Sequence, residues 1–283
     1  MLQWIRATLL NSRACLGLML LAIAQTAGAY DYHHFNSDGV DLAYVDFGSG
    51  TPVILLHGFE SSFEKGFKPT ANLLSQHFRV IGLDLRGHGH SGKPHDDEAY
   101  GKHLAADVLN LMNSLHIQQA HLVGHSMGGA IVMYLVANHP ERFYSGVTIG
   151  NGLFYRRELM AIGWLFRGLF AWTDFKEYFG LSNEPNLPGN DEEALLDVVT
   201  SLNELAVSEP QAAAIQLPLM GIRGGPKDDP HDTVERLVKI NPRVKMLRIE
   251  TEDHGSILSS AQYLQGLNAF LLQQPAAERS TLR

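Results

Sequence analysis

One hexapeptide, Gly124-His125-Ser126-Met127-Gly128-Gly129, constrains this chain more than any other stretch. It lies between the apolar run His121-Leu122-Val123 and the helix-like Ala130-Ile131-Val132-Met133-Tyr134-Leu135-Val136-Ala137, so a strand has to become a helix with no linker. Such a turn leaves its middle residue in a strained backbone conformation with the side chain thrust outward. Glycines are needed beside it because a Cβ there would collide. Ser126 is that middle residue. A Gly-x-Ser-x-Gly pattern is a weak filter by itself, and the surrounding chain has to carry the reading.

The surroundings read as alternating strands and helices. Residues 40–47 alternate apolar and polar, as a half-exposed strand does, whereas Pro52-Val53-Ile54-Leu55-Leu56 is solidly apolar and suits a strand buried on both faces. Further strands are expected over residues 78–83, 120–123, 143–149, 217–223 and 244–249. Helices are expected over 71–77, 100–115, 130–139, 233–239 and 259–272. This regular alternation is the pattern of an α/β fold with a mostly parallel, doubly wound sheet. In the loop after residue 83, Asp84 and Arg86 are expected to form a buried structural pair.

Three motifs then stand in order: His57-Gly58-Phe59, Asp84-x-Arg86-Gly87-x-Gly89-x-Ser91, and the hexapeptide around Ser126. Together they resemble the α/β-hydrolase superfamily, over a length running from about Asp38 to the last helix. The resemblance implies a core of residues 30–150 and 217–283. It also implies that the insertion at 151–216 forms a helical cap over the active site. That insertion carries Phe154, Tyr155, Trp164, Phe166, Phe170, Trp172, Phe175, Tyr178 and Phe179. Within it, residues 160–172 are apolar almost all round, with Arg167 the one charge. Burial by cap packing is the expectation there, with a lipase-like lid touching a membrane surface as the alternative.

Residues 1–29 form a different kind of segment. Arg6 and Arg13 precede a short apolar run that closes on Ala27-Gly28-Ala29, the pattern of a cleaved secretory signal. The expectation is therefore an exported protein, periplasmic or secreted. Cleavage would remove Cys15, the single cysteine, so the remaining 254 residues could form no disulfide. It would also take the formal charge from −8 to −10, which makes phosphate-rich polymers poor partners and excludes a nucleic-acid role.

The candidate chemistry follows from residue types. A serine hydroxyl needs a base to take its proton, and the base needs a carboxylate on its second nitrogen to fix the tautomer. Ser126 (nucleophile), Asp228 (acid, with Asp229 as the alternative) and His254 (base) occur in the chain order that the resemblance implies, each just after a strand. Asn151, after the sixth strand, cannot serve as the acid, and Asp253 adjoins His254 too closely to orient it. The backbone amides of Phe59 and Met127 are expected to form an oxyanion hole. His57 is expected to bond backbone nearby, and His125 to point away from the site.

No His or Cys cluster has metal-ligand spacing, so no cofactor is expected. The leading function is a serine hydrolase that cleaves a carboxylic ester of a small or medium apolar substrate through an acyl-enzyme. A carbon–carbon bond hydrolase or lactonase would use the same residues, and a binding protein on the same scaffold is the reading from another class.

Overall fold

The computed structural model describes residues 30–169, 191–229 and 231–274 of the 283-residue chain. The expected signal segment at 1–29 lies outside the described residues, as do Phe170, Trp172, Phe175, Tyr178 and Phe179 of the insertion.

Eight strands form one sheet: β1 (His33–Ser37), β2 (Val40–Gly48), β3 (Pro52–Leu56), β4 (Arg79–Leu83), β5 (Ala120–His125), β6 (Phe143–Ile149), β7 (Leu219–Arg223) and β8 (Lys245–Arg248). Their spatial order is β1-β2-β4-β3-β5-β6-β7-β8. β1 and β2 pair antiparallel with their neighbours, and every other pairing is parallel. The burial of each strand follows its composition. β5 and β7 are buried at every position, β3 and β4 at all but the first, and the edge strand β8 is largely exposed.

Helices cover both faces: α1 (Phe63–Leu74), α2 (His103–Ser114), α3 (Met127–Asn138), α4 (Arg156–Leu169), α5 (Glu192–Ser201), α6 (Glu209–Ala214), α7 (Thr233–Ile240) and α8 (Ala261–Leu272). The α/β class and the mostly parallel sheet agree with the sequence. Two elements do not. The polar lead-in at His33 and His34 is strand β1, which hydrogen-bonds along the outer edge of β2. The helix expected at 71–77 instead starts at Phe63, where the Ser62 hydroxyl accepts from Lys65 N at 3.3 Å. Pro69 lies within it, and Phe63, Phe67, Ala71 and Leu74 still form one buried stripe. Tertiary burial of that stripe outweighs the local break.

The sheet's order reverses at β3, since β4 lies on one side of it and β5 on the other. In open α/β sheets the crevice outside the strand ends at such a switch point is where ligands bind. The loops after β3, β5, β6, β7 and β8 all leave from this carboxyl end. They bring His57 to Phe59, Ser126, Asn151, Asp228 and His254 to one side of the molecule.

The loop after β4 is fixed differently from the sequence expectation. Arg86 pairs not with Asp84 but with Asp107 of α2, through Nε–Oδ2 at 2.6 Å and Nη2–Oδ1 at 2.5 Å. Asp84 is occupied with backbone, accepting from Phe63 N at 2.7 Å and His90 N at 2.9 Å. Residues two apart in an extended stretch project alike from the chain but need not meet. Here each found a partner elsewhere in the packed structure.

The insertion between β6 and β7 carries α4, α5 and α6, and the described residues from Tyr32 onward form one compact unit with it. The apolar stretch beginning at Met160 is not wholly buried. Met160 is 54% exposed, Trp164 81% and Leu165 43%. Packing against the core claims Leu159 and the opposite side of α4, which leaves this face outward. No helix among the described residues is long and apolar enough to cross a membrane.

Candidate active site

Ser126 is the single residue between β5 and α3, and it has φ 53° and ψ −116°. A non-glycine residue with positive φ is strained by about 1–3 kcal/mol and persists only where its surroundings over-determine it. They do so here. Ser126 N donates to Ile149 O at 2.8 Å, and its carbonyl accepts from Gly129 N and from Asn151 Nδ2, both at 2.8 Å. The two outer glycines are required by close approach. A Cβ on Gly124 would lie 2.2 Å from Gly128 O, and one on Gly128 would lie 2.1 Å from Leu56 O.

His254 follows β8, and its Nδ1 lies 2.8 Å from Asp228 Oδ1 and 3.1 Å from Asp228 O. Both oxygens only accept, so Nδ1 carries the proton and Nε2 faces away as the basic nitrogen. The Asp228 carboxylate is fully buried, and its second oxygen accepts from Gly224 N at 2.5 Å. Asp229 points elsewhere. Its oxygens accept from Thr233 Oγ1 at 2.9 Å and Val234 N at 2.8 Å, which caps the first turn of α7. Asp228 is therefore the carboxylate that touches His254. Asp253 accepts from Gly255 N and Ser256 N in its own loop.

Among the described residues no hydrogen bond joins the Ser126 hydroxyl to His254; they share a neighbourhood through Gly58 and His125. A Cβ on Gly58 would lie 3.3 Å from Ser126 Cβ and 3.1 Å from His125 Nδ1. Catalytic hydrogen bonds of this kind commonly tighten only once substrate is bound.

Met127 is the first residue of α3, so its amide is one of the N-terminal donors that a helix cannot satisfy internally. Phe59 follows Gly58 at the end of β3, where His57 pins the backbone. Leu85 N donates to His57 Nε2 at 3.0 Å, which leaves Nδ1 as the nitrogen that donates to Gly58 O at 2.7 Å. Burial holds this imidazole neutral and lowers its pKa. The Phe59 ring meets His88 edge-on at 5.8 Å, and burial pushes His88 down to about 3.

Two residues have a larger part here than their sequence positions suggest. His125 does not point away; its ring lies 4.6 Å from that of His254, and its Nε2 donates to His254 O at 2.9 Å. Burial, together with the neighbouring His254, keeps its pKa well below the ordinary imidazole range. His125 thus braces the His254 loop as a neutral donor. Asn151, excluded above as an acid, holds the Ser126 carbonyl. Neither contact leaves a mark in local sequence, because the partners are far apart along the chain.

A family model described as the α/β hydrolase fold matches residues 51–179. A putative non-heme chloroperoxidase from Synechocystis sp. is 39% identical over 115 residues, 40% of this chain and 41% of that protein. Bifunctional epoxide hydrolase 2 from Sus scrofa is 36% identical over 105 residues, 37% of this chain and 19% of that protein. The chain thus spans less than half the length of either relative. Among solved structures, the enol-lactonase from Burkholderia xenovorans superposes with a TM-score of 0.69 at 21% identity, covering 85% of this chain and all of that one. The 2-hydroxy-6-oxo-6-phenylhexa-2,4-dienoate hydrolase from a Rhodococcus species gives 0.68 at 21% identity, covering 86% and 98%. At such identity the likeness is one of fold.

Proposed function

The chain belongs to the α/β-hydrolase superfamily, and we propose that within it this protein is a serine hydrolase cleaving a carboxylic ester of a small or medium apolar substrate. The observation that carries the reading is the pairing of His254 Nδ1 with the buried Asp228 carboxylate, beside a serine held at the strained strand-to-helix turn. In this reading Ser126 is the nucleophile, His254 the base and Asp228 the acid.

His254 Nε2 takes the Ser126 hydroxyl proton as Oγ bonds to the ester carbonyl carbon. Asp228 steadies the imidazolium through the proton it holds on Nδ1. The carbonyl oxygen becomes an oxyanion facing the amides of Phe59 and Met127, fixed before reaction by the His57 pin and by the helix start. Collapse of that intermediate expels the alcohol, which takes the proton from His254. Water, deprotonated in turn by His254, then releases the acid and regenerates Ser126.

The same steps open a lactone, which is a cyclic ester, and the enol-lactonase of similar fold supports that variant of the substrate. The porcine relative's name does not transfer. Opening an epoxide with a serine oxygen would leave an alkyl ether that water does not cleave. Export belongs to the proposal as well, with the mature protein beginning after Ala29. N-terminal sequencing of protein recovered outside the cytoplasm tests it.

A fluorophosphonate probe tests the central reading. The folded wild type is expected to be labelled at Ser126 and Ser126→Ala to remain unlabelled; a folded wild type that takes no label would overturn it.

A further inference from the structure

Asp228 holds His254 at Nδ1, yet the His254 side chain is 31% exposed, and a bond at one nitrogen leaves the ring free to tilt about it. Nε2 lies across the ring, so any tilt swings the basic nitrogen relative to Ser126. Something else has to fix the imidazole plane.

Two residues at the carboxyl ends of neighbouring strands meet this ring. His125 ends β5 and faces Ile149 across the β5–β6 ladder, and Gly150 is the residue after Ile149. The His125 ring lies 4.6 Å from that of His254 at 38° to it, and its Nε2 donates to His254 O at 2.9 Å. Being neutral, it can lie against the imidazolium that forms during reaction without like-charge repulsion. Gly150 has φ 63° and is tied to β7, its N–H donating to Ile222 O at 2.8 Å. A Cβ there would lie 2.8 Å from both Nδ1 and Cε1 of His254 and 2.6 Å from Asp228 Oδ1. The bare glycine backbone is thus packed against the Asp228–His254 hydrogen bond itself.

We propose that His125 and Gly150 are positioning residues for the general base, and that the ends of β5 and β6 clamp the His254 imidazole in the plane that aims Nε2 at Ser126. The inference rests on the serine-hydrolase reading above. Neither residue touches substrate in it, so both act only through His254. The glycine at 150 is then required by the chemistry as well as by the backbone. An added Cβ stands about 0.7 Å or more inside van der Waals separation. The partly exposed imidazole yields to it more easily than backbone tied to β7.

The test is p-nitrophenyl ester hydrolysis, with kcat taken per site labelled by a fluorophosphonate at completion. Acylation and deacylation both pass through His254. Gly150→Ala is therefore expected to lose about 100-fold in kcat with KM within about threefold of wild type. Gly39→Ala is the control. Gly39 lies in the β1–β2 turn at φ 87° with nothing within 4 Å of an added Cβ, so the substitution carries backbone strain alone. It is expected to lower Tm by roughly 2–8 °C and leave kcat unchanged. A Gly150→Ala enzyme with wild-type kcat, or one whose loss lies in KM, overturns the proposal.

Should Gly150→Ala fail to fold, the His125 variants keep the proposal open to refutation. His125→Phe keeps a ring against His254 and removes the donor to its carbonyl, and it is expected to lose at least tenfold in kcat. His125→Gln places an amide NH2 within reach of the same carbonyl and is expected to stay within about threefold of wild type. Equal loss in both variants, or none in either, overturns the clamp. Labelling separates the two failures. A labelled wild type with indifferent variants sinks this inference alone, whereas an unlabelled wild type sinks the hydrolase reading on which it rests.

Discussion

Replacing Asp228 and Asp229 one at a time by asparagine should give opposite patterns of damage, because the two carboxylates face different partners. Asp228 accepts from His254 Nδ1 at 2.8 Å on one oxygen and from Gly224 N at 2.5 Å on the other. An asparagine amide has one oxygen and one NH2. If the oxygen faces Gly224, the NH2 meets Nδ1–H and forces the imidazole into the wrong tautomer, with Nε2 protonated and useless as a base. If the oxygen faces His254, the NH2 meets the buried Gly224 N–H. Neither orientation is compatible with both neighbours.

Loss of the base's tautomer costs about 10⁴-fold in kcat where it has been measured in enzymes of this chemistry, roughly 5 kcal/mol of barrier. The unsatisfied contact adds about 1–3 kcal/mol of instability. Asp229→Asn instead weakens the cap on α7 formed with Thr233 Oγ1 and Val234 N, worth about 0.5–2 kcal/mol. It leaves the base alone.

The assay is hydrolysis of p-nitrophenyl esters alongside thermal melting. Asp228→Asn should lose about three to four orders of magnitude in kcat, and Asp229→Asn should stay within about threefold of wild type with a Tm lower by roughly 2–8 °C. An Asp228→Asn enzyme within tenfold of wild type, or an Asp229→Asn enzyme as impaired as the other, refutes the assignment.

Further outcomes follow from the same structure. His88 and His121 are buried neutral, with pKa values of about 3 and about 4. Their unfolded forms titrate near 6.5, so the unfolded chain binds more protons below that pH; stability is complete above about pH 6.5 and is lost as the pH falls. Each costs about 2 kcal/mol by pH 5, and Tm should drop by roughly 8–16 °C between pH 7 and pH 5; a flat profile contradicts their burial as neutral groups. Ser126→Gly removes a strained Cβ at φ 53° and should be inactive yet more stable by about 1 kcal/mol, whereas Ser126→Ala keeps the strain and should match wild type in urea melts. Arg86→Met strands the fully buried Asp107 and should cost about 3–5 kcal/mol, with Arg86→Met/Asp107→Asn recovering part of it; equal destabilisation in both proteins argues against the pair.

The sequence by itself settled what short-range physics governs. The solid apolar run at residues 53–56 identifies a strand buried on both faces. The strand-to-helix junction at Ser126 follows from backbone sterics over six residues, and those same sterics are visible in the 2.1 Å that a Cβ on Gly128 would leave to Leu56 O. Candidates for base and acid were legible from their places after strands, since a parallel sheet sends all of those loops to one end.

What only the tertiary structure decided involves partners joined by packing rather than by spacing. Asp228 and Asp229 are neighbours in sequence, and composition cannot rank them. One faces the His254 loop and the other the start of α7, because a turn sends successive side chains to different sides. Arg86 reaching Asp107, His125 holding the carbonyl of His254, and Asn151 holding that of Ser126 are likewise contacts across 21, 129 and 25 positions. A periodic pattern records which face of an element is buried. It does not record what that face meets, and that is set by how the whole chain closes around one core.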